Sequence, residues 1–491
     1  MRFTKMALVA TCAVLGLLAS IAIVPTEPIA ATAGRLVLIQ GFPTAATPGG
    51  DDIPAERRAE VEQAVREYVR DVGWYRPDPG PVLRNGNSAV PGRYSFYPMA
   101  GRLGRDIFHR NFVDLDPRPN SLQDFNCTTY TYDGHLGYDT TVRSFAEKDV
   151  GVPVYAALNG LVIRTDDGHY DENGGVGAPS TMANYVVIDH GNQQVAYYWH
   201  LKNGSVVVQA GDEVVAGQQI GQTASSGFSN WPHLHFETHV AGAVIEPSSG
   251  GCNPGESGWT DPIRVVSSLY LDDFGFRDSG MPGDPMKRLP WGMESTGHLT
   301  LKDPVAYFWF QVKSMPASAP WRAVFRRPNG SVAYEESGAF STPFNRGSWW
   351  MFGFDVADMH EITGTWEMEF YLGGRKMGVF PVEVVQRRAQ KVNRPPKPVK
   401  VRLWPKRPRA GEVLSCHVTA DLLLDDPDYD VVIFRYEWTV NGEVVRKINS
   451  AAHSDVLRAD ALRRGDRVRC AVTPSDGVDS APTKARGRRV K

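Results

Sequence analysis

The spacing of apolar and polar positions divides the chain into one helical stretch and a long series of strands. In "IPAERRAEVEQAVREYVRDVGW", Val61, Val65, Tyr68, Val69 and Val72 recur near helical spacing behind Pro54, which predicts an amphipathic helix. From about residue 121 to 270 the period falls to two. "VPVYAALNGLVIRT", "NYVVIDHG", "QVAYYWHL" and "EVVAGQQIGQT" are short β-rich runs separated by glycine-containing turns, and their spacing predicts antiparallel strands, not βαβ units. Asn159-Gly160 within the first run reads as a hairpin turn. Aromatic strands such as "AYFWFQVKS" and "SWWMFGFDV" then alternate with Asn-Gly and Gly-Gly turns over 285–386, predicting a β-sandwich. Residues 387–400 form a basic, proline-rich linker, and 401–491 a further β-module. The fold class is mainly β, with a small, partly helical N-terminal region at 34–120 to which no chemistry is assigned.

Composition narrows the picture without changing it. The chain of 491 residues is 42% hydrophobic and 22% charged, enough for several buried cores, and its 48 glycines and 35 prolines suit a turn-rich β protein. A net charge of −2 speaks against nucleic acid as the main partner. Arg2 and Lys5 precede an apolar run from Met6 to about Val24, and "ATA" at 31–33 offers a cleavage site, so 1–33 is expected to be a secretory signal peptide. An uncleaved membrane anchor is the alternative, and either places the protein outside the cytoplasm. Four cysteines remain beyond the leader. In an exported chain, sequence locality favours the pairs Cys127–Cys252 and Cys416–Cys470.

The candidate chemistry lies in "NWPHLHFETH", residues 230–239. On a strand His233, His235 and Glu237 share one face while Leu234 and Phe236 turn to a core. Upstream, "GHLGYDTT" places His135, Gly137 and Asp139 on one face, with Gly137 leaving room between two ligating side chains, and His200 ends the strand "VAYYWHL". Two nitrogens, a carboxylate oxygen and an open position match what catalytic zinc uses, and zinc supplies a nucleophile at neutral pH and polarises a carbonyl. Spacing leaves the paired histidines equivalent as ligand or helper.

"HLGYD", "YYWHL", "GDEVVAGQQIG" and "PHLHFE" occur in the order found in lysostaphin-like (LytM-type) zinc endopeptidases of bacterial cell walls, and the resemblance covers about residues 125–250. It implies an antiparallel β-sheet peptidase domain with a duplicated-hybrid-motif-like fold over 121–270, one zinc ion, and hydrolysis of peptide bonds in peptidoglycan stems or cross-bridges. Carried over residue by residue, His135, Asp139 and His235 hold the metal, and His200 and His233 are the catalytic pair. The order Cys416, Trp438, Cys470 resembles an immunoglobulin-like or polycystic-kidney-disease-type module, although Val468 stands where a corner tyrosine would be.

Other readings are weaker. "AGDEVVAGQQIG" also resembles a biotinyl or lipoyl carrier hairpin, but no lysine occurs from Asn203 to Met286 for modification. Asp166, Asp167, Asp171 and Glu172 in the insertion at 166–183 fit no EF-hand spacing and read as a solvated rim loop. His190 and His239 fall outside the motif positions and read as structural. There is no HExxH, so no glutamate is assigned as base. The functional alternatives are a catalytically silent peptidoglycan-binding or regulatory protein, and an exported protease acting on non-wall proteins. The two C-terminal β-modules suit spacing or surface adhesion, and the linker at 387–400 reads as a solvated connector.

Overall fold

The computed structural model describes residues 53–75, 92–173, 182–277, 296–302, 305–387, 392–419 and 425–491, together with the backbone of 37–40. The expected leader at 1–33 and part of the insertion at 166–183 lie outside the described residues. Among the described residues no helix is long and apolar enough to cross a membrane.

The centre of the molecule is an antiparallel sheet. Its strands run in the spatial order Ile107–Asn111, Tyr138–Val142, His233–Val240, Gln194–Trp199, Tyr185–Asp189, Gly160–Asp166 and Glu213–Val214. These strands are rich in β-branched and aromatic residues, and both of their faces are covered. One face sends Leu234, Phe236, Tyr198, Ala196 and Ile188 into a core with Tyr94, Met99, Tyr155 and Trp259. Alternation turns Tyr185, Val187, Val195, Tyr197 and Trp199 to the other side, where Val61 and Val65 of helix α1 (Ala55–Val72) pack on them. The helix starts behind Pro54 and stops at Gly73, whose φ of 86° other residues rarely adopt. Its apolar stripe is narrower than the spacing predicts, because Val72 is exposed.

Two expectations about the order of elements change here. Asn159-Gly160 does not close a hairpin. Pro153–Tyr155 pairs with Gln219–Gln222 in a separate two-stranded sheet, whereas Gly160–Asp166 pairs with Tyr185–Asp189. The Asn159 carbonyl accepts from His190 Nδ1 and its side chain from Ala216 N, so the pair serves a junction between sheets. Residues 92–115 also leave the N-terminal region and join the central sheet, since Ile107–Asn111 is its edge strand beside Tyr138–Val142.

The sandwich is likewise larger than 285–386. Its four-stranded sheet takes Tyr270–Arg277, Val305–Met315, Asn345–Asp355 and Val37–Gln40, and its five-stranded sheet covers His298–Thr300 and the strands from Pro320 to Val385. The C-terminal module is built of a three-stranded and a four-stranded sheet. Cys416 on one is bonded to Cys470 on the other, with Trp438 buried in the same core. Cys127–Cys252 forms as well, tying the segment before Tyr138–Val142 to the end of the central unit.

Neither module is a detached spacer. Trp309, Trp349 and Met351 of the sandwich pack against Phe145 and Trp231 of the central unit. From the C-terminal module, Ala451, Ala452 and Val456 enter the central core, and Tyr155 donates to Asp455 at 2.7 Å. The linker is ordered in part too: Arg394 is paired with Asp428 at 2.7 Å.

Candidate active site

The site is assembled by strand register. His233–Val240 runs antiparallel to Tyr138–Val142 with His235 opposite Asp139, and antiparallel to Gln194–Trp199 with His235 opposite Trp199. His200 follows that last strand with a φ of 62°, a left-handed conformation uncommon for a residue with a β-carbon. Its carbonyl accepts from Ala224 N, and the carbonyl of Ala224 accepts from His233 N, so a single residue bridges the two histidines. His135 lies in the turn before Tyr138–Val142. Gly137 is required between them: a β-carbon there would stand 2.6 Å from His235 Nε2 and 2.9 Å from the Phe236 carbonyl.

Three atoms converge. His135 Nε2 is 3.1 Å from Asp139 Oδ1, His235 Nδ1 is 3.0 Å from the same oxygen, and the two nitrogens are 3.3 Å apart. The other ring nitrogens define the tautomers. His135 Nδ1 donates to the Phe112 carbonyl at 2.7 Å, and His235 Nε2 donates to Glu237 Oε2 at 3.2 Å. Both lone pairs therefore face Asp139 Oδ1, and three acceptors crowded together call for a cation. A tetrahedral zinc ion with bonds of about 2.0–2.1 Å separates its ligands by about 3.3 Å, so the donor set fits in type and spacing. A partner on the second nitrogen of each ligating imidazole is the usual support of a metal-binding histidine. Among the described residues this is the single group of histidine, cysteine and acidic side chains that converges in this way.

Beside it stand the other two histidines, their rings 4.4 Å apart. His200 Nδ1 donates to the Ser226 carbonyl at 2.6 Å and His233 Nδ1 to the Trp231 carbonyl at 2.7 Å. His233 Nε2 lies 3.6 Å from Asp139 Oδ1, while His200 Nε2 is buried without a hydrogen-bond partner. Burial, and then the neighbouring His233 and His235, hold His200 well below the usual imidazole range, so it stays a neutral acceptor at pH 7. For Asp139 burial works upward, but the surrounding imidazoles outweigh it and keep the carboxylate ionised.

Glu237, Asn111, Arg58 and Arg346 were not among the sequence candidates. Glu237, fully buried, accepts from both His235 and His239 and is clamped by Arg58 of α1 at 2.5 and 2.6 Å. His239 thus orients this carboxylate, while His190 remains a junction residue bonded to the Asn159 carbonyl. The alternation of "HLHFETH" already placed Glu237 on the site face; no local signal marked the two arginines. In the insertion, Asp167 accepts from Gly204 N and Val206 N, and Asp166 is paired with Arg57, so these carboxylates tie the loop to helix α1 and to the 204–206 segment instead of standing free in solvent.

An antiparallel sheet here presents a His/Asp/His triplet suited to a metal ion, with two further histidines beside it. Residues 137–247 match the model of Peptidase family M23. The chain is 37% identical over 96 residues to peptidoglycan DD-endopeptidase ShyA of Vibrio cholerae, covering 20% of this chain and 19% of the relative. It is 36% identical over 155 residues to ShyC of the same organism, covering 31% of each. Murein hydrolase activator EnvC of Escherichia coli is 28% identical over 200 residues, 39% of each chain. The chain thus spans well under half the length of these curated relatives. The solved catalytic domain of lysostaphin from Staphylococcus simulans matches at 23% identity over 28% of this chain and 86% of that one, with a TM-score of 0.18.

Proposed function

We propose that the protein is an exported zinc endopeptidase that hydrolyses peptide bonds in peptidoglycan stems or cross-bridges. The observation that carries this reading is the meeting of His135 Nε2, Asp139 Oδ1 and His235 Nδ1 at 3.0–3.3 Å beside the unpartnered His200 Nε2. His135, Asp139 and His235 hold the ion, which when bound supplies a Lewis acid that polarises the scissile carbonyl and makes a water nucleophilic at neutral pH. His200 Nε2 accepts a hydrogen bond from the attacking water and takes its proton, and the Ser226 carbonyl fixes the ring for that exchange. His233, whose Nδ1 donates to the Trp231 carbonyl, lines the same edge with Nε2 and is a second acceptor that orients the attacking water. The likeness to two enzymes named as peptidoglycan DD-endopeptidases supports the substrate class.

A second reading, a silent wall-binding regulator, is favoured by one observation: all five residues are at most 3% exposed. The likeness to a protein named as an activator points the same way. Purified protein incubated with defined peptidoglycan, with and without chelator, separates the two. New peptide-bond fragments in the mass spectrum that vanish with chelator and return with zinc support the peptidase. Wall binding without fragments supports the regulator.

A further inference from the structure

We propose that Asn111 and Arg346 are positioning residues for the metal centre. In this arrangement the β-sandwich module holds the Asp139 carboxylate with one oxygen turned to the ion. The inference rests on the zinc reading above and extends it to residues that lie outside the matched domain.

The argument starts at a β-bulge. Along the edge strand, His109 pairs with Thr140 but Asn111 pairs with Asp139, so Arg110 is an extra residue and the strand turns at that point. Such bulges re-aim the next side chain. Here the bulge sends the Asn111 amide to Asp139, where Nδ2 donates to Oδ2 at 2.6 Å in a buried setting. Oδ1 of the same carboxylate is the atom facing His135 and His235. One oxygen is thus occupied by an amide, and the other is left for the ion.

An asparagine side chain can present either its oxygen or its NH2 group, and this choice is settled from the sandwich. Arg346 Nη1 donates to Asn111 Oδ1 at 2.5 Å and to the Thr131 carbonyl at 2.6 Å. A guanidinium only donates and an ionised carboxylate only accepts, so an asparagine between them has one self-consistent orientation. Burial, and then Arg110, lower Arg346 to about 10, which leaves it charged at neutral pH. The residue that follows the edge strand completes the device. The Phe112 carbonyl accepts from His135 Nδ1 and from Thr131 Oγ1, and Phe112 N donates to the Tyr130 carbonyl. Residues 111 and 112 therefore orient two of the three ligands, and Arg346 ties that pair to the 130–131 segment.

The test uses the full chain and reads metal binding directly. Asn111→Ala is expected to weaken zinc 10- to 100-fold in a chelator competition, the range typical of lost support to a ligand. It should also change the visible absorption of the cobalt-substituted protein while leaving the far-ultraviolet circular dichroism as it is. Arg346→Ala should weaken zinc less, Arg346→Lys should restore most of that loss, and the double variant N111A/R346A should be no weaker than N111A alone. Zinc affinity within twofold of the parent with an unchanged cobalt spectrum in N111A overturns the proposal, and so do additive losses in the double variant. If N111A does not fold, the comparison of R346A with R346K decides, and equal affinities overturn the proposal. A parent protein that takes up no zinc overturns the metal reading instead, so the two failures are distinct.

Discussion

At the scale of single residues, the division of labour among the histidines has separable consequences. His200 touches no ligand atom within hydrogen-bonding distance, and its ring is anchored on the Ser226 carbonyl. His200→Ala should therefore keep one zinc per chain by elemental analysis and lower turnover by about 10²–10⁴, the size of a lost general base. Loss of the metal along with activity would assign His200 to the ligands instead. Gly137 makes the opposite case. In Gly137→Ala the new β-carbon meets an imidazole already held by Glu237, so the ring must move and zinc affinity should fall at least about tenfold, read by the same chelator competition. The roles of these residues were legible in unequal measure. His135, Asp139, His200, His233 and His235 announce themselves through short spacings and strand alternation. Asn111 and Arg346 do not, because their bonds span 28 and 235 residues of chain and neither sits in a recognisable pattern.

At the scale of elements, helix α1 and the strand His233–Val240 are joined by one ion pair. Arg58 is almost buried and Glu237 wholly so, and the carboxylate is held well below its usual range against burial, by Arg58 first and then by His235 and His239. Removing one partner of such a pair costs about 3–5 kcal/mol. Arg58→Ala should lower the melting temperature and bring the first tryptic cut into residues 53–75. It should also weaken zinc binding, because the carboxylate that Arg58 clamps is the partner of His235 Nε2. If protease sensitivity is unaltered, the apolar contacts of Val61 and Val65 hold the helix by themselves. The helix was readable from its 3.6-residue period. Its seat was not, since an amphipathic stripe states that a face is buried without naming the surface that covers it.

At the scale of the whole molecule, the C-terminal module is joined to the peptidase unit across a seam that contains neutral histidines. Burial brings His453 down to about 4, and burial followed by Arg102 does the same for His417. His453 N also donates to Asp106 across that seam. A folded value below the unfolded one of about 6.5 means that the unfolded chain takes up the proton first. The contribution of these groups is complete above about pH 6.5 and is lost as pH falls toward 4, by about 1.4 kcal/mol per unit for each imidazole. Thermal melts of the metal-free protein should fall between pH 7.5 and 5, and His453→Gln should flatten that dependence. An unchanged pH slope in this variant would place the acid sensitivity elsewhere.

What the amino-acid order determined by itself is the local content: a mainly β chain, a helix behind Pro54, the two cysteine pairings, and a set of side chains suited to a metal. These follow from period, turn chemistry and ligand type, which act over a few residues or, for the pairings, from locality. Tertiary structure alone decided that residues 92–115 and Tyr270–Arg277 change partners, that both β-modules pack on the peptidase unit, and that the site is enclosed. It also decided which nitrogen of each imidazole faces inward. Each of those outcomes depends on contacts between segments far apart in the chain, where burial and hydrogen-bond satisfaction choose among arrangements that local pattern leaves equal.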